Sequence, residues 1–226
     1  MIKKIVVEDA RFPLTGGAGS DAIHQNPVYS YTVTRLYDDK GNCGTGLAFT
    51  LGAGNELVCA AARYYGNMLA GKELKAVMSE YGSWFKAMSD EQQLRWLGPH
   101  KGIVHLALAS VTNACYDLWA RQQQVPLWQL LLDLQPEQLV QTLDLSYLDE
   151  GLPREEAIRM LTDLQASRKE RENVLQKGYP AYDTSAGWFN YADSQLEENC
   201  KRAVEKGFGA LKLKVGAKDP ATDIRR

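Results

Sequence analysis

Lys212 and Lys214 stand two residues apart in the segment GFGALKLKVGA (residues 207–217), and on a β-strand that spacing aims both amines to one face. An amine so placed is a candidate base for taking a proton from carbon. Desolvation and a neighbouring cation each weaken a lysine's hold on its own proton. A second lysine roughly 7 Å along the same strand face supplies such a neighbour. If helices flank this strand, it belongs to a parallel sheet covered on both faces, where two ammonium groups are costly unless a site employs them. The competing reading is an edge strand whose lysines face water and discourage edge pairing.

The elements that must hold these amines follow from pattern. From about residue 137 strand and helix alternate: a strand over Leu139–Leu148, helices from about Pro153 to Lys177, a strand over Tyr179–Thr184, a helix over Ser194–Lys206 and a strand over Ala210–Val215. Alternation of this kind predicts parallel βαβ units. The TSAGW stretch, Thr184–Trp188, then falls at a strand end, which makes Trp188 the tryptophan to watch. Residues 2–12 read as a first strand, followed by a glycine-rich loop from Thr15 to Asp21. YSYTVTRLYDDKGNCGTGLAFTL reads as a hairpin with its tip at Asp38, Asp39, Lys40 and Gly41, flanked by the strand formers Tyr31, Val33 and Phe49. Asn55 is the expected N-cap of a helix from Glu56 to about Ala70. A further helical stretch follows Ser79, Gly98 and Pro99 punctuate, and of the His, Asp, Glu, Lys and Arg residues the stretch 102–120 carries only His105 and Asp117. Such a helix is apolar nearly all round and belongs at the centre of a bundle. The fold expected is an α+β domain over residues 1–136, a three-stranded antiparallel meander plus helices, followed over residues 137–226 by the first βα units of a (β/α) barrel. A closed eight-unit barrel takes about 250 residues, so those units leave the barrel incomplete.

Other chemistry-bearing residues read more plainly. Gly16, Gly17 and Gly19 lack the spacing of a phosphate-cradling loop, and no helix start follows at once; a mobile loop with Asp21 as a solvated carboxylate is expected. His24, His100 and His105 lack metal-ligand spacing, and His105 is expected to be a satisfied core histidine. Trp84, Trp96, Trp119 and Trp128 are expected to pack in the core. Asp219 and Asp223 follow Lys214 at a helix start, where carboxylates complement the helix dipole. Cys43, Cys59, Cys115 and Cys200 show no CxxC pair and read as reduced thiols.

The 226 residues are 45% hydrophobic and 24% charged, with a net charge of −2 and a pI near 6.0. Nothing basic enough for nucleic acid, and no apolar run of bilayer length, is present in the sequence. A small-molecule partner in the cytoplasm is expected, with neither nucleic acid nor membrane.

Four segments, GGAGSDAIHQNPVYS (16–30), QLRWLGPHKGIVHLA (93–107), KGYPAYDTSAGW (177–188) and LKLKVGA (211–217), together resemble the enolase superfamily. They are similar to its mandelate racemase and muconate lactonising group, and within that group to the L-fuconate dehydratases. The resemblance implies a cap domain over a (β/α) barrel, and loss of water from a sugar acid through a Mg²⁺-stabilised enediolate to give a 2-keto-3-deoxy acid. It makes Lys214 the base that removes the proton alpha to the carboxylate and Lys212 the first lysine of the K-x-K pair. Gly19, Ser20, Asp21 and Tyr29 become substrate contacts in a loop that closes over the sugar acid. In the family, three carboxylates from later barrel strands hold the metal and a later histidine is the acid, so the resemblance covers the N-terminal part only, with no metal ligand among these 226 residues. It also implies a homo-oligomer at full length. The expected function is an acid-sugar dehydratase. The alternatives are a catalytically silent truncated homologue that folds or binds a partner, and a sister aldonate dehydratase or cycloisomerase.

Overall fold

Strand-forming residues build the first three elements, β1 (Ile2–Pro13), β2 (Val28–Asp38) and β3 (Cys43–Thr50), an antiparallel sheet in the order β1-β2-β3. The computed structural model describes residues 1–98, 101–148 and 150–226, so Pro99 and His100 lie outside the described residues. By packing, the chain divides into two units. The first comprises Met1–Ala10, Tyr31–Phe49 and Gly54–Gly178; the second comprises Arg11–Ser30, Thr50–Ala53 and Tyr179–Arg226.

In the first unit the sheet is covered by helices: α1 (Asn55–Leu69), α2 (Leu74–Ser79), α3 (Tyr81–Ser89), α4 (Gln92–Leu97) and α5 (Ile103–Gln123). Helix α5 is the expected central helix and packs against α1, α2 and α3. It buries Val104, Ala107, Leu108, Val111, Ala114, Cys115 and Leu118, because a helix apolar on most of its circumference is stable only when surrounded. It also comes close to β3. A Cβ on Gly46 would stand 2.0 Å from the Ser110 carbonyl oxygen and 2.4 Å from the Ala114 nitrogen, so only glycine permits that approach.

The buried face of β2 is polar, with Thr32, Thr34 and Asp38 among its residues, and each has a partner, as buried polar groups must. The Ser110 hydroxyl lies 2.7 Å from that of Thr34 and donates to the Thr32 carbonyl at 3.0 Å. Asp38 accepts from the Gln122 amide at 2.9 Å and from the Asn42 amide at 2.7 Å. Burial pushes the Asp38 carboxyl up, but the bonds from Asn42, Gln122 and the backbone N–H groups of Asn42 and Lys40 outweigh it and bring it down to about 2.

Three local expectations are corrected here. Asn55 is the first residue of α1 rather than its cap, a place taken by Gly54 in the left-handed region. The Asn55 side chain instead donates to Asp9 and accepts from Thr32, and that buried use outweighs capping. Trp96 is not a core residue but 88% exposed; α4 is only six residues long and buries none of them, whereas Trp84 and Trp119 do pack against the core. The strand expected at Leu139–Leu148 is absent. After α6 (Leu127–Asp133), helix α7 (Pro136–Gln141) occupies its start, and turns follow. Pro136 opens that helix, and Gln135 and Gln138 form a reciprocal capping box that favours helix over strand. The unit ends with α8 (Arg154–Asp163), a 3₁₀ turn over Leu164–Ser167 and α9 (Arg168–Lys177), with Arg168 reaching Asp133 at 2.7 Å.

The second unit holds β4 (Asp183–Gly187), α10 (Asp193–Glu205), β5 (Leu211–Leu213) and α11 (Pro220–Arg225). Strands β4 and β5 are parallel, with Asp183 opposite Leu211 and Gly187 opposite Leu213 across a register irregularity. This is a βαβ unit, as the alternation predicts, with β4 displaced about one turn of sequence from its expected place. The ladder stops at Leu213, and Lys214 continues it only through its N–H, which donates to the Gly187 carbonyl at 2.8 Å. Among the described residues no helix is long and apolar enough to cross a membrane.

Candidate active site

Lys214 leaves β5 at the end where parallel-barrel strands carry chemistry. Its side chain is half-buried, and its Nζ lies 5.5 Å from the centre of the Trp188 ring, within the range of a cation–π contact. Trp188 follows β4 directly, so the parallel pairing of β4 with β5 is what brings lysine and indole together. Tyr29 meets the same indole edge to face, with ring centroids 6.5 Å apart. Lysine, tryptophan and tyrosine thus form one row.

Lys212 is placed differently. It lies within β5 but is exposed, so the two amines do not share a dry wall. Among the described residues β4 and β5 form a two-stranded sheet, and a two-stranded ladder cannot enclose both of its faces.

The glycine-rich loop lies in the same unit. Gly19 is buried with φ near 73°, and a Cβ there would stand 2.5 Å from the Leu14 side chain and 2.9 Å from the Tyr29 ring. Ser20 is fully buried. Its hydroxyl donates to the Gly17 carbonyl at 2.7 Å and accepts from the Asn190 N–H at 2.8 Å. Asp21 closes a turn on itself, taking the N–H groups of His24 and Ile23 at 2.7 and 2.9 Å and the His24 ring at 3.1 Å. Those bonds, the His24 N–H foremost, hold its carboxyl down to about 2. The loop expected to be mobile is therefore internally bonded, and Asp21 is committed to its shape.

Two contributors go beyond the sequence reading: Asn190 has no signal there, and Asp223 is expected only to complement a helix dipole. Asn190 donates from its backbone to Ser20 and from its side chain to the Gln25 carbonyl at 3.0 Å. Asp223 accepts from the N–H groups of Gly216 and Ala217 at 2.8 and 3.1 Å, fixing the turn just beyond Lys214. Asp219 caps α11 by accepting from the Ala221 N–H at 3.0 Å. Both carboxylates after Lys214 are thus engaged with backbone. Among the described residues no three His, Cys, Asp or Glu side chains gather as a metal-holding group, and the surroundings of Lys214 do not fit a magnesium ion.

With this geometry in hand, the chain compares closely with known proteins. No protein-family model matches it. It is 42% identical over 229 residues to mitochondrial enolase superfamily member 1 of Homo sapiens, covering 100% of this chain and 52% of that protein. The crystal structure of the human protein superposes with a TM-score of 0.93 at 41% identity, again over 100% of this chain and 52% of the other. L-galactonate dehydratase of Hypocrea jecorina is 37% identical over 211 residues, covering 92% of this chain and 47% of that enzyme. The fold is shared with L-talarate/galactarate dehydratase of Salmonella typhimurium LT2, solved with Mg and L-lyxarohydroxamate, at a TM-score of 0.68 and 20% identity over 99% of this chain and 46% of the other. The chain spans about half the length of the curated relatives it matches. Its meander, its helices, its parallel βα unit and a relative of that name at 42% identity place this chain in the enolase superfamily.

Proposed function

We propose that this chain is the N-terminal part of an acid-sugar dehydratase of the L-fuconate type. Lys214 is the base: its Nζ takes the proton from C2 of the aldonate, the C3 hydroxyl leaves as water on taking a proton from the acid, in this reading the family's later histidine, and the resulting enol becomes the 2-keto-3-deoxy acid. Removing a proton next to a carboxylate gathers negative charge on the carboxylate oxygens, and preorganised positive charge is what lowers that barrier. Lys212, exposed in β5, is the nearest cation along the strand to contribute. Gly19, Ser20, Asp21 and Tyr29 shape the loop beside the substrate. Magnesium, which when bound would supply further positive charge for the enediolate, belongs in this reading to carboxylates beyond residue 226. The full-length protein acts as a homo-oligomer on a free sugar acid in the cytoplasm.

The observation that carries this reading is the place of Lys214, half-buried past the end of β5 against Trp188, in a chain 37% identical to an L-galactonate dehydratase. A sister aldonate activity is favoured by that same relative. The test is exchange of the C2 proton in deuterated water, offered L-fuconate and L-galactonate in parallel with the full-length protein and its Lys214→Ala variant. Exchange that depends on Lys214 supports the reading, the faster aldonate names the substrate, and exchange that survives the substitution removes Lys214 from its role.

A further inference from the structure

We infer that Ser20 is a positioning residue rather than a substrate contact: its hydroxyl locks the glycine-rich loop onto the turn that carries Trp188. The hydroxyl is fully buried, and both its donor and an acceptor site are in use, toward the Gly17 carbonyl and the Asn190 N–H. A hydroxyl in that state has no proton to offer a ligand. Around it the same two stretches are joined twice more, by the Phe189 N–H to the Ser20 carbonyl at 3.1 Å and by the Asn190 side chain to the Gln25 carbonyl at 3.0 Å. These bonds bridge residues 165 to 170 apart in sequence. One turn, residues 188–190, therefore holds the loop through Phe189 and Asn190 and presents to Lys214 the ring of Trp188. Loop and base keep a fixed spacing because both are fastened to that turn.

The catalytic consequence rests on the dehydratase reading, but the latch itself does not. The first measurement is amide hydrogen exchange in the full-length, substrate-free protein, comparing wild type with Ser20→Ala, Ser20→Thr and Asn190→Ala. A net hydrogen bond is worth enough that losing one or two speeds local opening roughly five- to thirty-fold. Exchange over residues 16–25 should accelerate by that factor in Ser20→Ala, by the lower end of it in Asn190→Ala, and return toward wild type in Ser20→Thr. The second measurement is aldonate turnover, in which Ser20→Ala raises KM more than it lowers kcat, with Ser20→Thr restoring KM. Unchanged loop exchange in Ser20→Ala overturns the inference, since a residue that only touches substrate leaves the substrate-free loop alone. Accelerated loop exchange in a protein that turns over no aldonate retains the latch and discards the dehydratase reading.

Discussion

The Nζ of Lys214 lies 5.5 Å from the centre of the Trp188 ring, and the two residues meet because β4 and β5 run parallel and end side by side. The strand pairing thus places the candidate base, and the Asp223 carboxylate fixes the turn just beyond it. If that amine takes the C2 proton, Lys214→Ala in the full-length protein should cut exchange of that proton by about a hundred- to ten-thousand-fold, the usual worth of a positioned base. The fold should remain, because the backbone N–H of Lys214 keeps its bond to Gly187; unchanged circular dichroism alongside lost exchange is the expected pair of readings.

Trp188 makes two aromatic contacts, with Lys214 and with Tyr29, so its removal should be felt twice. Cation–π and edge-to-face pairs each contribute on the order of 1 kcal/mol. Trp188→Leu should therefore destabilise the protein by about 1–2 kcal/mol and lower turnover, while Trp188→Phe should recover part of both. Denaturant midpoints measured beside turnover check this, and a Leu variant as stable as wild type would show that the ring bears no load.

Much of this arrangement is written locally in the sequence, and some of it is not. The hairpin tip at Asp38–Gly41 and the strand–helix–strand order before K-x-K are short-range patterns and are present in the fold, although β4 runs Asp183–Gly187 and β5 stops at Leu213, short of Lys214. The polar face of β2 is different. Thr32 and Thr34 are buried against Asn55 and Ser110, partners 23 and 76 residues away, and hydrophobic alternation carries no trace of a face that is satisfied by hydrogen bonds. The run around Leu139–Leu148 is apolar enough for a strand, yet Pro136 and the Gln135–Gln138 capping box decide for helix at its start. Asn190 gives no hint of its role, because its partners Ser20 and Gln25 lie in another part of the chain.

Asp38 makes stability depend on pH in a definite direction. Its carboxyl is held down to about 2 in the folded chain, against about 3.9 when unfolded, so between those values the unfolded chain binds more protons. The stabilisation is complete above about pH 4 and is lost as pH falls toward 2. Asp38→Ala should cost about 1.5–3 kcal/mol at neutral pH, since the Asn42 and Gln122 amides lose a charged acceptor, and urea midpoints of wild type and variant should converge as the pH is lowered through that window.

The contact between β3 and α5 allows a sharper test of packing. A methyl group on Gly46 would meet backbone atoms of Ser110 and Ala114 at 2.0 and 2.4 Å, and backbone cannot swing aside as a side-chain tip does. Gly46→Ala should destabilise the first unit by about 3 kcal/mol, the upper end of the cost of overpacking. Gly98→Ala is the control for loss of a glycine, because its backbone is extended and nothing stands within 4 Å of the added atom. A Gly46→Ala variant no less stable than Gly98→Ala would refute the close approach.

The polypeptide of residues 1–226, produced by itself, should associate. Among the described residues β4 and β5 pair only with each other, so each strand has an edge without a partner, and such edges recruit other chains. Apolar side chains stand near them in sequence: Val215 is 62% exposed and Ile224 is 85% exposed. Charge gives little protection, since a net charge of −2 over 226 residues provides weak repulsion between copies. Sedimentation velocity at rising protein concentration should therefore show a growing fraction of large species, and Val215→Lys, which puts a cation at the ladder's end, should reduce it. A monodisperse monomer that unfolds in one cooperative step would mean that the two-stranded ladder is closed off by something other than a third strand.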